Sequence, residues 1–118
     1  MQMQSNQPKK PCIVVVNDDS IQLGTLKGIL ERGGYAVNAH SSAEQALQAM
    51  QEQNLPDLII TDLYMPGIDG WRFCRLLRSP EYRALNQTPI LVLSATFSGD
   101  SILSTIFSVD KNFGCPDT

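Results

Sequence analysis

One stretch constrains this chain more than any other: Pro56-Asp57-Leu58-Ile59-Ile60-Thr61-Asp62-Leu63-Tyr64-Met65-Pro66-Gly67-Ile68-Asp69-Gly70. Leu58 to Thr61 is short and rich in β-favouring residues, which suits a strand covered on both faces. Asp62 ends it, and Pro66, Gly67 and Gly70 turn the loop that follows. A carboxylate at the carboxyl end of a parallel strand stands where open α/β sheets place their ligands. It can cap the loop or it can do chemistry, and the surrounding chain decides between the two.

Three more runs read as strands. Cys12 to Val16 is continuously apolar and β-branched, Tyr35 to Ala39 is weaker, and Ile90 to Leu93 follows Thr88-Pro89. Helical spacing separates them. Leu23, Leu26 and Leu30 share one side of a helix over Ile21 to Arg32, which Asp19 or Ser20 can cap and Gly33-Gly34 can end. Gly24 and Gly28 inside it each cost about 1 kcal/mol against Ala, and close packing on a sheet is the expected offset. Ser41-Ser42-Ala43-Glu44 reads as a capping box opening a second helix, with Ala43, Ala46, Leu47 and Met50 on one face. A third helix covers Trp71 to Arg78, with Trp71 and Phe73 as packing residues, and Ser79-Pro80 interrupts it. A fourth runs from about Asp100 or Ser101 to Val109, its apolar stripe suited to burial on the sheet or to a reversible partner face.

Strands alternating with helices predict βα units and a parallel sheet, joined by right-handed crossovers. The expected architecture is α/β, a flavodoxin-like doubly wound sheet of order 2-1-3-4(-5). In that order Asp18, Asp62 and Ser94 meet at one end, with Asp62 in the middle. A length of 118 residues predicts one domain. Residues 1–10 are expected to be a disordered polar leader and 11–118 the folded part.

Composition excludes several classes. The formal net charge is −3, and only Lys9 and Lys10 are adjacent among the basic residues, so no basic field faces nucleic acid. No apolar run is long enough to span a membrane. Cys12, Cys74 and Cys115 are far apart, with no C-x-x-C pair, which points to reduced thiols in a cytoplasmic protein. There is no G-x-x-x-x-G-K-[ST] and no G-x-G-x-x-G, and Asp62-Leu63-Tyr64 lacks the Asp-x-Asp of haloacid-dehalogenase-like phosphohydrolases. His40 reads as a turn residue.

Asp18, Asp19 and Asp62 together place like charges within several Å, and such a cluster favours a cation. Oxygen donors at an open sheet edge suit Mg2+, which takes one or two carboxylates, keeps waters and accepts a phosphate oxygen. A carboxylate beside such an ion can also attack phosphorus to give an aspartyl phosphate. Ser94 could hydrogen-bond a phosphoryl oxygen, with the Ala95 N–H beside it. Each residue also has a plainer role: Asp18 or Asp19 as a helix cap, Ser94 as an ordinary strand-end hydroxyl.

Val15-Val16-Asn17-Asp18-Asp19-Ser20, the central stretch, and Pro89-Ile90-Leu91-Val92-Leu93-Ser94-Ala95 fall in an order that resembles the receiver (CheY-like) domain of two-component response regulators. The resemblance covers roughly Pro11 to Thr96. It implies that Asp62 accepts a phosphoryl group from a sensor histidine kinase or phosphotransfer protein in a Mg2+-dependent reaction. It implies that Asp18 and Asp62 bind the metal with the backbone carbonyl of Tyr64, and Asn17 through water. Ser94 would be the hydroxyl that reorients on phosphorylation, with Tyr64 and Thr96 tuning dephosphorylation. Such a domain catalyses only its own phosphorylation and dephosphorylation and switches a surface for a downstream effector.

Two departures stand out. The family usually has an acidic pair where this chain has Asn17-Asp18, and its fifth strand, bearing a Lys, and fifth helix have no counterpart in the sequence. Gly114 to Thr118 resembles the approach to that strand, and Lys111 is not assigned the Lys role. The expected domain is therefore incomplete at its C-terminal side. These departures support an alternative: a degenerate receiver working as a phosphorylation-independent interaction module.

Overall fold

The computed structural model describes residues 10–50, 55–93 and 106–109. Its elements are β1 (Cys12–Val16), α1 (Ser20–Arg32), β2 (Ala36–His40), α2 (Ala43–Met50), β3 (Leu58–Asp62), α3 (Gly70–Leu77), a kinked 3-10 segment (Pro80–Leu85), β4 (Ile90–Leu93) and β5 (Ile106–Val109). One sheet of order β2-β1-β3-β4-β5 joins the strands. The three pairings of the 2-1-3-4 order are parallel: Val14 faces Asn38 and Ile59, and Ile59 also faces Ile90. The α/β fold and the 2-1-3-4 order are as expected.

The two sides of β1, β3 and β4 carry separate clusters, as a strand's period of two requires. Val14, Val16, Ile59, Ile90 and Val92 face α2 and α3 and pack with Ala46, Leu47, Phe73 and Leu77. Ile13, Val15, Ile60 and Leu93 face α1, against partly buried Leu23, Leu26 and Leu30. The second side is the thinner one: α1 buries no residue fully. A Cβ at Gly24 would meet nothing within 4 Å, and one at Gly28 only Arg32 of its own helix. The expected close packing of these glycines on the sheet is absent, because α1 rests on its leucines and turns the glycines outward.

Local chemistry places the helix ends. Asp19 caps α1, accepting from the Ile21 and Gln22 N–H groups. The next helix begins one residue later than expected. Ser42, not Ser41, caps α2, its Oγ accepting from the Gln45 N–H at 3.1 Å, while the Gln45 Oε1 accepts from the Ser41 N–H at 3.3 Å. β2 runs on to His40 and uses Ser41 as its connector, so the box is Ser42-Ala43-Glu44-Gln45. Asp69 caps α3 through the Arg72 N–H at 2.9 Å. Arg78 then clamps the link to β4, donating to the Leu85 and Thr88 carbonyls at 3.0 and 2.9 Å.

The fourth helix expected to end at Val109 is corrected over residues 106–109, which form a strand; residues 94–105 lie outside the described residues. Ile106-Phe107-Ser108-Val109 is rich in β formers, and the outer edge of β4 offers unpaired N–H and C=O groups that a strand satisfies. The pairing is antiparallel, Leu93 with Ile106 and Ile90 with Val109. The chain therefore leaves β5 beside Ile90, at the end of the sheet opposite Asp62. Lys111 itself, like residues 1–9, 51–54 and 110–118, lies outside the described residues. Among the described residues no helix is long and apolar enough to cross a membrane.

Candidate functional site

Register brings the acidic residues together. Val16 pairs with Thr61, so the turn that carries Asn17, Asp18 and Asp19 leaves β1 beside the tip of β3. Asp62 pairs with Leu93 on its other side, and the ladder continues through the Leu63 N–H to the Leu93 carbonyl at 2.8 Å. The middle strand tip thus carries Asp62, as the topology demands of order 2-1-3-4.

Asp62 is 4% exposed, and its Oδ1 is buried with no hydrogen-bond partner among the described residues. Burial pushes its carboxyl up from the ordinary 3.8 to about 6. Asp18 and Asp19 push the same way, and the Leu63 and Tyr64 N–H groups pull back. An ionised oxygen held in that way is costly unless something positive meets it. The register of β1 on β3 puts the turn with Asp18 and Asp19 in one region with Asp62.

Their roles differ. Asp19 spends an oxygen on its own helix, accepting from Ile21 and Gln22 N–H at 2.9 and 3.1 Å. Asp18 is exposed. Asn17 is 3% exposed and bonded on both sides of its carboxamide, from the Asp19 N–H at 2.8 Å and to the Gln22 Oε1 at 3.1 Å. Tyr64 presents a side chain 60% exposed just past Asp62. Ser94, Ala95 and Thr96 lie outside the described residues; Ser94 follows Leu93, the residue paired with Asp62.

The donor set suits a hard cation. No group of three or more His, Cys, Asp and Glu residues able to hold a metal occurs among the described residues. Two carboxylates, Asp18 and Asp62, remain for an ion, and the orphaned Asp62 Oδ1 is the atom that such an ion would satisfy. That is the number Mg2+ takes when waters and a phosphate oxygen complete its shell.

The loop after Asp62 is held by a glycine that sequence inspection saw only as a turn residue. The Gly70 N–H donates to the Leu63 carbonyl at 2.8 Å, and a Cβ there would stand 2.6 Å from the Asp62 carbonyl oxygen and 2.8 Å from the Leu63 Cα. Only a residue without a Cβ lets α3 begin against the strand end. Gly67 takes φ +78 beside the Glu44 carboxylate. Gln22 and Asp57 were missed altogether. Asp57 Oδ2 accepts from the Cys12 N–H at 2.8 Å and ties the start of β3 to that of β1; an Asp directly before a strand was the available signal. For Gln22 the signal was an amide side chain one turn into the helix after an Asn-x-Asp turn.

Comparison with known proteins agrees with this geometry. The sequence pattern of the response regulator receiver domain matches residues 13–108. The chain is 34% identical over 90 residues to the sensory/regulatory protein RpfC of Xanthomonas campestris, a match covering 76% of this chain and 12% of that protein. It is 36% identical over 85 residues to the transcriptional regulatory protein AfsQ1 of Streptomyces coelicolor, covering 72% of this chain and 35% of that protein. The chain therefore spans a minor part of both relatives. Among solved structures, a response regulator receiver protein from Pseudomonas putida superimposes with a TM-score of 0.65 at 30% identity, covering 75% of this chain and 70% of that one. With that pattern running through β1, β3 and β4 and the same strand order beneath it, this chain belongs to the receiver domains of response regulators.

Proposed function

We propose that Asp62 accepts a phosphoryl group from a histidine kinase or a phosphotransfer protein, and that the modified domain switches a surface for an effector. One observation carries this reading: a carboxylate at the middle strand tip, almost wholly buried, with one oxygen unpartnered and its carboxyl pushed up to about 6. An Asp62 oxygen attacks phosphorus, the P–N bond to the donor imidazole breaks, and the nitrogen leaves with the electron pair. Asp18, Asp62 and the Tyr64 backbone carbonyl are the groups to hold Mg2+, which supplies neutralisation of the charge on the transferring oxygens. Ser94 Oγ and the Ala95 N–H are the groups assigned to a phosphoryl oxygen, and Tyr64 and Thr96 are assigned the tuning of how long the phosphoryl group lasts. The domain then acts as a cytoplasmic switch whose only chemistry is on itself. Beryllofluoride with Mg2+ should move the amide resonances of Asp18, Asp62 and Ser94, and a small phosphoramidate donor should add one phosphoryl mass that Asp62→Asn abolishes. An unchanged spectrum together with no added mass would sink the reading.

A second reading is supported by Asn17, which puts a neutral, internally bonded side chain where the family usually has an acid. Here the domain binds its partner without phosphorylation. A partner complex that survives Asp62→Ala at unchanged affinity would favour it over the first.

A further inference from the structure

The turn from β1 into α1 is closed by side chains as well as backbone. Asn17 Oδ1 accepts from the Asp19 N–H at 2.8 Å, and Asn17 Nδ2 donates to Gln22 Oε1 at 3.1 Å. The Gln22 N–H donates in turn to Asp19 Oδ1 at 3.1 Å. Residues 17, 19 and 22 thus form a closed ring of hydrogen bonds around Asp18, and none of these bonds uses the Asp18 carboxylate. The Asn17 N–H anchors the ring to the sheet through the His40 carbonyl at 3.1 Å. The orientation of the carboxamide follows from the donors: a backbone N–H requires its oxygen, which leaves the NH2 for Gln22. A carboxylate at position 17 could serve only the first of these bonds, because it has no hydrogen to give.

We infer that Asn17 is a positioning residue rather than a ligand of the ion: with Gln22 it locks the turn that aims Asp18 at the site of Asp62. The inference rests on the proposed function for its ion, and on the hydrogen bonds of residues 17, 19 and 22 for its ring. Asn17, 3% exposed, is committed to the fold at both ends of its side chain. The exposed Asp18 is free to meet a cation, and a turn that is already ordered loses less freedom when it does so.

The test uses the full chain and the variants Gln22→Ala, Asn17→Ala, the double variant, Gln22→Glu and Gln22→Leu. Two quantities are read: hydrogen exchange of the Asp19 amide without cation, and the Mg2+ dissociation constant from amide shifts. A lost buried hydrogen bond corresponds to about a 2- to 10-fold change. Gln22→Ala should speed Asp19 exchange and weaken Mg2+ binding by factors in that range. The double variant should bind Mg2+ no worse than Asn17→Ala, since both break one ring. Gln22→Glu, which keeps an acceptor for Asn17 Nδ2, should restore slow exchange, whereas Gln22→Leu, an equally good helix former with no acceptor, should not. The inference is overturned if Gln22→Ala leaves both quantities unchanged while Asn17→Ala weakens Mg2+ binding, for Asn17 then acts on the ion itself. A wild-type chain with no Mg2+ response would count against the proposed function alone, and the exchange rates would still decide the ring.

Discussion

Replacing Asp62 with Asn should stabilise the cation-free protein at neutral pH, although it removes the proposed phosphoacceptor. The folded state raises the Asp62 carboxyl from 3.8 to about 6. Between those values the folded chain holds more protons than the unfolded one, so stability falls as pH rises through the window and is level above it. At about 1.36 kcal/mol for each tenfold change in proton affinity, the ionised carboxylate costs about 3 kcal/mol above the window and nothing below it. Asn carries no charge to bury, but its NH2 needs a partner beside the site that leaves Oδ1 orphaned, which subtracts about 1 kcal/mol or more. The variant should therefore fall below the wild type by up to about 1 kcal/mol near pH 4 and exceed it by about 1 to 2 kcal/mol near pH 7. Urea unfolding across that range with a chelator present measures the difference, and added Mg2+ should narrow it by stabilising the wild type alone. A difference that does not change with pH, or an Asn variant less stable at pH 7, would refute the assignment of Asp62 as a carboxylate disfavoured by burial and its acidic neighbours.

Further substitutions separate the roles of individual residues. Gly70→Ala drives a Cβ to 2.6 Å from the Asp62 carbonyl oxygen and should cost about 1 to 3 kcal/mol in unfolding, whereas Gly24→Ala, open to solvent within a helix, should stabilise by about 0.5 to 1 kcal/mol. Asp19→Ala should cost about 1 kcal/mol as a lost cap and, with one bond of the ring gone, weaken Mg2+ binding by about 2- to 10-fold while leaving the saturated Mg2+ shifts at Asp62 in place. Asp18→Ala should do the reverse, abolishing those shifts and lowering the Asp62 carboxyl in an NMR titration, because Asp18 is one of the charges that raise it. Asn86→Ala removes an NH2 that serves the Leu77, Ser79 and Tyr82 carbonyls at 2.7, 3.1 and 3.2 Å, and a loss of about 2 kcal/mol in chemical denaturation is expected.

The strands that build the site were the most legible part of the chain. β1 and β4 match the expected spans, and β3 extends by one residue to include Asp62 itself. Their short, β-branched runs bounded by turn residues favour strands buried on both faces, which puts helices on both sides. What stayed hidden was whatever neighbours decide. Ser41 and Ser42 are equal as caps by propensity, and the length of β2 chooses between them. Ile102, Leu103, Ile106 and Phe107 have helical spacing, yet the last two lie in β5, where pairing with β4 outweighs periodicity. The glycines of α1 gave no hint of which way they turn. Asn17 was visible as a departure from an acidic pair, while its ring with Gln22 depends on side-chain geometry that spacing alone does not specify.

These particulars share a cause at the end of β3. Sequence and structure agree along Leu58 to Thr61 because every local preference there favours a buried strand, and Thr61, 0% exposed, settles its hydroxyl on the neighbouring Asp62 carbonyl at 3.0 Å. One position further the preferences conflict, since the same burial that suits Thr61 disfavours a carboxylate. A sequence that keeps Asp62 under those conditions, with Asp18 and Asp19 adding to the repulsion, gives up stability at one residue while the surrounding positions remain consistent with the fold. Such isolated violations belong to functional sites. Under the proposed function the same conflict makes the site responsive: a cation or a phosphoryl group at Asp62 would relieve it, so that binding or modification would act on a state already held at a higher free energy.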